Sequence, residues 1–261
     1  MERTMSYKTP SYTLRNLFMA GVVSTLLLPG VTLAQQIDNP ENPYDEVGRW
    51  HNQALDQAVV HVHELGYNPV SFILAAGESI QDFTEQTVGA EGVGHAHKDT
   101  IARLHHDRDT VLEELRGQLS EEQGIFFDAL KTAVESMSDA YGTGLESSQS
   151  AEALDGVRAV ESQMLAQLSD DDARLLLIAA SVARHSFAYW SEQRELRGDS
   201  PWNPPGAGLK FPPSPQDADA WGAVIGGLGG LAGGPLGVLG GALEGGGISS
   251  GVAWIAHWLG F

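Results

Sequence analysis

Histidine is the residue type whose abundance in this chain most suggests chemistry. The 261-residue sequence contains nine His and no Cys, so any soft-metal site would depend on imidazole. Two His chelate from one face of a helix only when three or four residues separate them, and no pair has that spacing. A metal or small-ligand site assembled between helices stays open as an alternative. Its ligands would be His61, His63, His95, His97, His105 and His106.

Acidic residues are too numerous for their pairs to indicate catalysis. Asp and Glu number 34 against 15 Lys and Arg, which gives a net charge of −19. A chain of this charge is not expected to bind nucleic acid, since phosphate binding needs clustered basic residues. Nucleophile elbows, phosphate-binding loops and zinc-protease motifs are all missing from the sequence. We therefore expect a protein that is not an enzyme and requires no cofactor.

The segment from residue 42 to residue 56, NPYDEVGRWHNQALD, concentrates side chains that often bind or react. The simpler interpretation is a helix cap followed by an amphipathic turn in which Trp50 anchors a helical bundle. The role of the segment is left open. Its candidate residues are Tyr44, Asp45, Trp50, His51, Asn52 and Asp56.

The elements that would position these residues are helices. Apolar residues recur at helical spacing through most of the chain, and no stretch shows the alternation typical of a strand. Asn42-Pro43 is expected to open the first helix, one helix is expected from about 97 to 119, and Ser120 begins a capping box. The helix through Trp190 is the most apolar and should be central. The pattern predicts an all-α fold with a bundle of about six helices.

Composition divides the chain into five parts. Residues 1–34 have the form of a signal peptide, with an apolar stretch from Leu17 to Leu28 and cleavage after Ala34. A polar leader is predicted over 35–41, the helical bundle over 42–197 and a Pro-rich linker over 198–216. A hydrophobic tail is predicted over 217–261.

The tail contains glycines in two series with a spacing of four residues. Each series would form one bare helix face into which another backbone can settle. We expect the tail to associate with a membrane or with itself, giving a homo-oligomer, unless it folds as a hairpin at Gly233-Gly234-Pro235 against its own bundle. The residues concerned are Gly222, Gly226, Gly230 and Gly234, then Gly229, Gly233, Gly237, Gly241 and Gly245, with Trp254 and Trp258 as interfacial anchors.

Three segments together resemble a set of exported bacterial proteins of unknown function. These are the Asn42–Asp56 opening, Ser181–Glu192 (SVARHSFAYWSE) and the glycine-zipper tail. The resemblance implies a protein of the periplasm, cell envelope or secreted fraction and implies no activity. The tail is also similar to bacteriocin-like peptides rich in spaced glycines. Those peptides are usually cationic, whereas this chain is acidic.

Overall fold

Helices account for all the regular secondary structure of the described residues. The computed structural model describes residues 37–65, 69–89, 98–196, 200–202 and 214–259. Within these ranges no strand forms, which confirms the all-α class. The predicted signal peptide and most of the predicted Pro-rich linker lie outside the described residues.

The helices follow one another in the following order. They are α1 (Asp45–Leu65), α2 (Pro69–Val88), α3 (Lys98–His106), α4 (Arg108–Arg116), α5 (Glu121–Ala140), α6 (Ser148–Gln167), α7 (Asp170–Glu195) and α8 (Pro215–Gly229), then a 3-10 turn (Gly230–Gly233) and α9 (Gly234–Leu259).

Serine side chains cap three of the helices. Ser120, Ser147 and Ser169 each accept a hydrogen bond from a backbone N–H in the first turn of the helix that follows. The capping box of Ser120 is confirmed, because the side chain of Gln123 also accepts from the backbone N–H of Ser120.

Two helix boundaries differ from the sequence-based expectation. The first helix begins at Asp45 rather than directly after Asn42. Asn42 Oδ1 accepts from the backbone N–H of Tyr44 in the turn before the helix, while its Nδ2 donates to Glu161 and to the carbonyl oxygen of Leu177. The single helix expected from about 97 to 119 forms as α3 and α4, with Asp107 between them. Apolar spacing alone did not reveal this break.

Helix α7 lies at the centre of the described structure, as its apolar sequence predicts. It contacts α1, α5, α6, α8 and α9. Residues from Ala173 to Gln193 are buried on almost every side of the helix, and the side chain of Trp190 is fully enclosed. Polar side chains on α7 therefore have to find their partners inside the protein.

Helices α8 and α9 run antiparallel and touch through backbone rather than side chains. Gly222, Gly226 and Gly230 of α8 face Gly245, Gly241 and Gly237 respectively. A Cβ added at any of these six positions would collide with the carbonyl oxygen of the opposing glycine. Only glycine permits this separation.

The α8–α9 pair also packs against the other helices. Helix α8 contacts α7, and α9 contacts α2 and α1. The chain reverses at Gly234, whose φ of +66° is in the left-handed region that glycine tolerates. No helix among the described residues combines the length and apolar character that crossing a bilayer requires.

The backbone contact predicts a strong position effect for glycine substitutions. Gly226→Ala should lower the free energy of unfolding by about 2 kcal/mol or more, because the new methyl group meets a carbonyl oxygen that cannot move aside. Gly156→Ala on α6 is the matched control, since its Cβ meets nothing within 4 Å. It should raise stability by up to about 1 kcal/mol through helix propensity. Urea unfolding measures both, and equal effects would contradict the backbone contact.

Candidate functional site

A buried ion-pair cluster joins α1, α6 and α7. The side chain of Arg184 is fully buried, and its Nη2 donates to Asp45 Oδ1 at 2.5 Å and to Glu161 Oε1 at 2.9 Å. Asn39 Nδ2 and Asn42 Nδ2 donate to the two oxygens of Glu161 at 2.8 and 2.6 Å. We call these five residues the Arg184 cluster. It ties the segment before α1 to the centre of the protein.

Helix α1 can reach this cluster because it crosses α7 at a glycine. A Cβ at Gly48 would lie 2.5 Å from the carbonyl oxygen of Ser181, so no larger residue fits. The Gly48 backbone N–H donates to Ser181 Oγ at 3.0 Å, and that hydroxyl donates to the carbonyl oxygen of Asp45 at 2.9 Å. The bare position on α1 and the hydroxyl on α7 thus set the distance between the two helices.

The electrostatics of Asp45 follow from its partners. Burial alone would raise the pKa of its carboxyl group, but the hydrogen bond with His185 and the charge of Arg184 outweigh burial and lower this pKa to about 2. The carboxylate is therefore charged throughout the neutral range. Its charge and that of Glu161 compensate the guanidinium of Arg184 inside the protein.

One group of metal-ligating side chains comes together in the described part of the chain. Donor atoms of Asp38, Asp45 and His185 lie within 4.8 Å of one another. Arg49 Nη1 already donates to both carboxylates, at 2.9 Å to Asp38 and 3.2 Å to Asp45, and Arg184 adds a second cation. Two guanidinium groups that bond these carboxylates disfavour a divalent cation there. The group is better described as an ion-pair network.

A second buried cluster surrounds Asp219 at the start of α8. The carboxylate is fully buried and accepts hydrogen bonds from Ser186 Oγ, from Trp190 Nε1 at 2.9 Å and from Ser250 Oγ. His51 Nε2 lies 3.7 Å from Asp219 Oδ2, and that side chain is also fully buried. Burial raises the pKa of Asp219, although the neighbouring His51 and the hydrogen bonds partly oppose the shift. We call these five residues the Asp219 cluster.

A third set of hydrogen bonds links α1, α7 and the segment after α7. Tyr189 Oη donates to Asp56 Oδ1 at 3.1 Å and accepts from Trp202 Nε1 at 2.9 Å. Burial raises the pKa of Tyr189, so the phenol stays protonated and can donate to the carboxylate. The Trp202 indole is buried and stacks at a tilt on Trp190, with ring centroids 5.1 Å apart.

The two clusters and the hydrogen bonds of Tyr189 account for most of the opening segment. Asp45 belongs to the Arg184 cluster, His51 belongs to the Asp219 cluster and Asp56 bonds to Tyr189. Asn52 Nδ2 donates to the carbonyl oxygen of His185 at 2.9 Å. Tyr44 Oη accepts from Arg174 Nε at 3.0 Å. Trp50 is only partly buried and packs at the margin of the core. The segment and the SVARHSFAYW stretch therefore face each other along α1 and α7.

The remaining candidate residues are not gathered into a site. His61 Nδ1 lies 2.8 Å from Ser79 Oγ, and His106 is exposed at the end of α3. The side chains of His63, His95, His97, His105, Trp254 and Trp258 lie outside the described residues. Among the tail glycines, Gly233 and Gly234 face open space rather than the α8–α9 contact.

Sequence reasoning missed the charged and amide residues that the opening segment bonds to or that lie before it. Asn39, Glu161, Arg184 and Asp219 are not among the candidate residues, yet all four are buried. A signal exists for Arg184, because it is the single formal charge in the run LLLIAASVARHSFAYW; Asp219 has Asp217 two residues before it and gives no such signal. A lone charge in such a run has to find a buried partner.

The geometry of the Asp219 cluster does not match a nucleophilic triad. Ser186, Asp219 and His51 are the right residue types, but the serine hydroxyl donates to the carboxylate and not to the histidine. A triad needs the histidine between the other two so that it can take the proton of the nucleophile. All three side chains are also enclosed. The arrangement is suited to holding four helices together.

The comparisons with known proteins give no relative for this chain. No protein-family model matches it, and neither a curated protein nor a solved structure does.

Asp45 predicts a pH dependence of stability in the acid range. A lowered carboxyl pKa adds stability above the unfolded value of 3.8, and this is lost as the pH falls from about 4 to about 2. Asp45→Asn should remove about 2 kcal/mol of pH-dependent stability, measured by urea unfolding from pH 7 to pH 2. Asp128→Asn, at an exposed pair with Arg116, is the control. A pH profile of D45N that matches wild type would refute this prediction.

Arg184 predicts a large loss of stability from a single change. Arg184→Met keeps the apolar stem but leaves the buried carboxylate of Glu161 without its cation and leaves Asp45 with Arg49 alone. The free energy of unfolding at pH 7 should fall by about 3–5 kcal/mol. Arg116→Met breaks a surface pair and should cost less than about 1 kcal/mol. Similar losses in the two variants would show that the Arg184 cluster contributes no more than a surface pair.

Proposed function

We propose that this protein is an exported, non-enzymatic protein of the cell envelope or secreted fraction, and that its C-terminal glycine-zipper hairpin associates with a membrane surface. The hairpin comprises α8, the 3-10 turn and α9, and the helices before it form the bundle. The bilayer is contacted by the tip of the hairpin. The observation that carries the proposal is the composition and exposure of that tip.

The tip is apolar and faces solvent. Leu231 and Leu236 are 58% and 57% exposed, on either side of the chain reversal at Gly234. No charged residue occurs between Trp221 and Leu243, so nothing in the tip has to be dehydrated as an ion. Two exposed leucines on an uncharged protrusion are suited to the boundary between lipid headgroups and acyl chains.

The size of the tip indicates a shallow and reversible contact. Full burial of one leucine side chain contributes about 1.5–3 kcal/mol, so two contribute at most about 6 kcal/mol. That free energy corresponds to a dissociation constant between millimolar and micromolar, before the cost of association is subtracted. Stable attachment would need more apolar surface. That surface exists on α8 and α9 but is buried against the bundle.

Charge indicates which membrane surface is compatible. A net charge of −19 opposes an anionic bilayer, so the contact should be apolar rather than electrostatic. The resemblance to exported bacterial proteins and the signal-peptide pattern of residues 1–34 support a location where the protein meets a membrane from outside the cytoplasm.

Self-association through the glycines is less favoured by the geometry. The glycine faces of α8 and α9 already contact each other, so a second copy could use them only after the pair separates. Clustered-histidine metal binding has no described group of side chains to support it, because the three potential ligands that converge are Asp38, Asp45 and His185. Membrane contact at the tip is therefore the function we carry forward.

The test is co-sedimentation of the full mature protein with neutral phosphatidylcholine vesicles. Leu231→Ser together with Leu236→Ser should reduce bound protein at least tenfold, because the loss of two buried leucines removes most of the apolar contact. Val60→Ser together with Ile125→Ser is the matched control, since these side chains are 58% and 60% exposed but lie on α1 and α5.

Three results would overturn the proposal. They are wild-type protein that stays in the supernatant, a tip variant that binds like wild type, and a control variant that loses binding to the same extent. Light scattering of the wild type without vesicles separates membrane contact from self-association. A lipid-independent oligomer that the tip variant abolishes would favour the second copy over the bilayer.

A further inference from the structure

We propose that Asp219 and His51 form a proton-dependent latch that keeps the α8–α9 hairpin docked on the bundle, and that the hairpin undocks when the pair loses its shared proton. The inference deepens the proposed membrane function, on which its biological consequence rests. The latch itself is a property of the protein alone and can be tested without lipid.

At the latch, buried polar contacts join the hairpin to helices that precede it in the chain. Asp219 belongs to α8 and Ser250 to α9, whereas His51 belongs to α1, and Ser186 and Trp190 belong to α7. One carboxylate therefore connects four helices. Undocking separates the hairpin from α1 and α7 and exposes the apolar surface of α8 and α9.

Hydrogen bonding fixes which nitrogen of His51 carries its first proton. Asn52 Nδ2 donates to the carbonyl oxygen of His185, which leaves the amide oxygen of Asn52 to accept from His51 Nδ1 at 3.2 Å. In the neutral ring, Nε2 then has a lone pair and no hydrogen. Nε2 is buried, has no hydrogen-bond partner and lies 3.7 Å from Asp219 Oδ2.

Two electron pairs cannot face each other in an enclosed site without a cost. If His51 is neutral and Asp219 is ionised, a lone pair and a negative charge meet at 3.7 Å in the core. One additional proton removes the conflict, whether it resides on the carboxylate or on the ring. The docked hairpin therefore needs one proton in the pair, and removal of that proton favours separation.

Other ionisable groups around the latch do not supply the missing charge. Tyr189 on α7 and Tyr141 at the end of α5 are neutral neighbours, whose pKa burial raises and the charge of Asp219 raises further. Arg108 on α4 is paired with Asp217, two residues before Asp219, through two hydrogen bonds of 2.8 and 2.9 Å. The buried carboxylate of α9, Glu244, is an acid and adds no positive charge.

The sign of the pH effect follows from proton counting. A raised pKa of Asp219 means that docking is favoured while the proton is held and is weakened as the pH rises. In the undocked state both side chains are solvated, and a free histidine gives up its proton near pH 6.5. Above that pH, docking takes up one proton. The equilibrium between docked and undocked hairpin should therefore shift about tenfold towards undocking per pH unit.

Hydrogen–deuterium exchange of the full mature protein, without lipid, measures the docking directly. After correction for intrinsic exchange, protection of residues 215–259 should fall as the pH rises from about 6.5, by up to tenfold per unit for as long as the docked pair keeps its proton. Helix α6 is the internal reference, because it packs on α5 and α7 and contributes no residue to the Asp219 cluster. A flat pH profile for 215–259, or a profile that α6 follows equally, would overturn the latch.

Two substitutions identify the shared proton. Asp219→Asn keeps the shape and removes the carboxylate that shares the proton with His51, so protection should become independent of pH between 6 and 9. His51→Gln places a neutral donor beside the carboxylate and should have the same effect. A variant that keeps the wild-type pH slope would assign the proton to another group. The wild-type profile decides the matter even if a variant fails to fold.

Asp217→Asn is the matched control in the same turn of α8. Its partner Arg108 is charged at every pH used, so the loss of this ion pair should lower protection by the same factor at pH 6 and pH 9. The wild-type slope should remain. If D217N also removes the slope, a general loosening of α8 explains the data and the latch is rejected.

The latch and the membrane function fail in different experiments. Vesicle binding that depends on Leu231 and Leu236 but does not change with pH would keep the proposed function and reject the latch. Exchange that follows the predicted pH slope without any vesicle binding would keep the latch and reject the membrane as partner. If both proposals hold, vesicle binding by the wild type should strengthen as the pH rises, and vesicle binding by D219N should stay weak at every pH.

Discussion

The cost of placing ionised groups inside a helical core governs how this protein is assembled. A guanidinium or a carboxylate that leaves water loses several kcal/mol of hydration, which only well-placed partners return. Arg184 and Asp219 both point from apolar helices into the interior. The helices that meet there therefore have to supply oxygens and hydrogen-bond donors at fixed distances, and this requirement fixes their register.

The two clusters divide this task between the ends of the chain. The Arg184 cluster binds the segment before α1 to α6 and α7, and the Asp219 cluster binds α8 and α9 to α1 and α7. Helix α7 contributes to both, through neighbouring residues of one stretch. Segments near both ends of the described residues thus converge on a single helix, which is buried on almost every side.

The sequence predicts the helices better than it predicts the buried clusters. The all-α class, the central helix and the Ser120 capping box follow from local patterns of three to four residues, which a sequence displays directly. The pairing of Asp45 with Arg184 spans 139 positions, and no local rule relates such distant residues. His51 and Asp56 were recognised as unusual by type alone. Their partners Asp219 and Tyr189 emerged only when the helices were placed.

The backbone contact between α8 and α9 restricts how the sequence can change. Where side chains fill an interface, a larger residue on one helix can be balanced by a smaller one on its neighbour. Gly222, Gly226 and Gly230 meet carbonyl groups, and a carbonyl group cannot be exchanged for something smaller. No second substitution can rescue a first one at these positions. The α8–α9 contact should therefore accept fewer amino-acid substitutions than any side-chain interface of the protein, even though it contains almost no side-chain atoms.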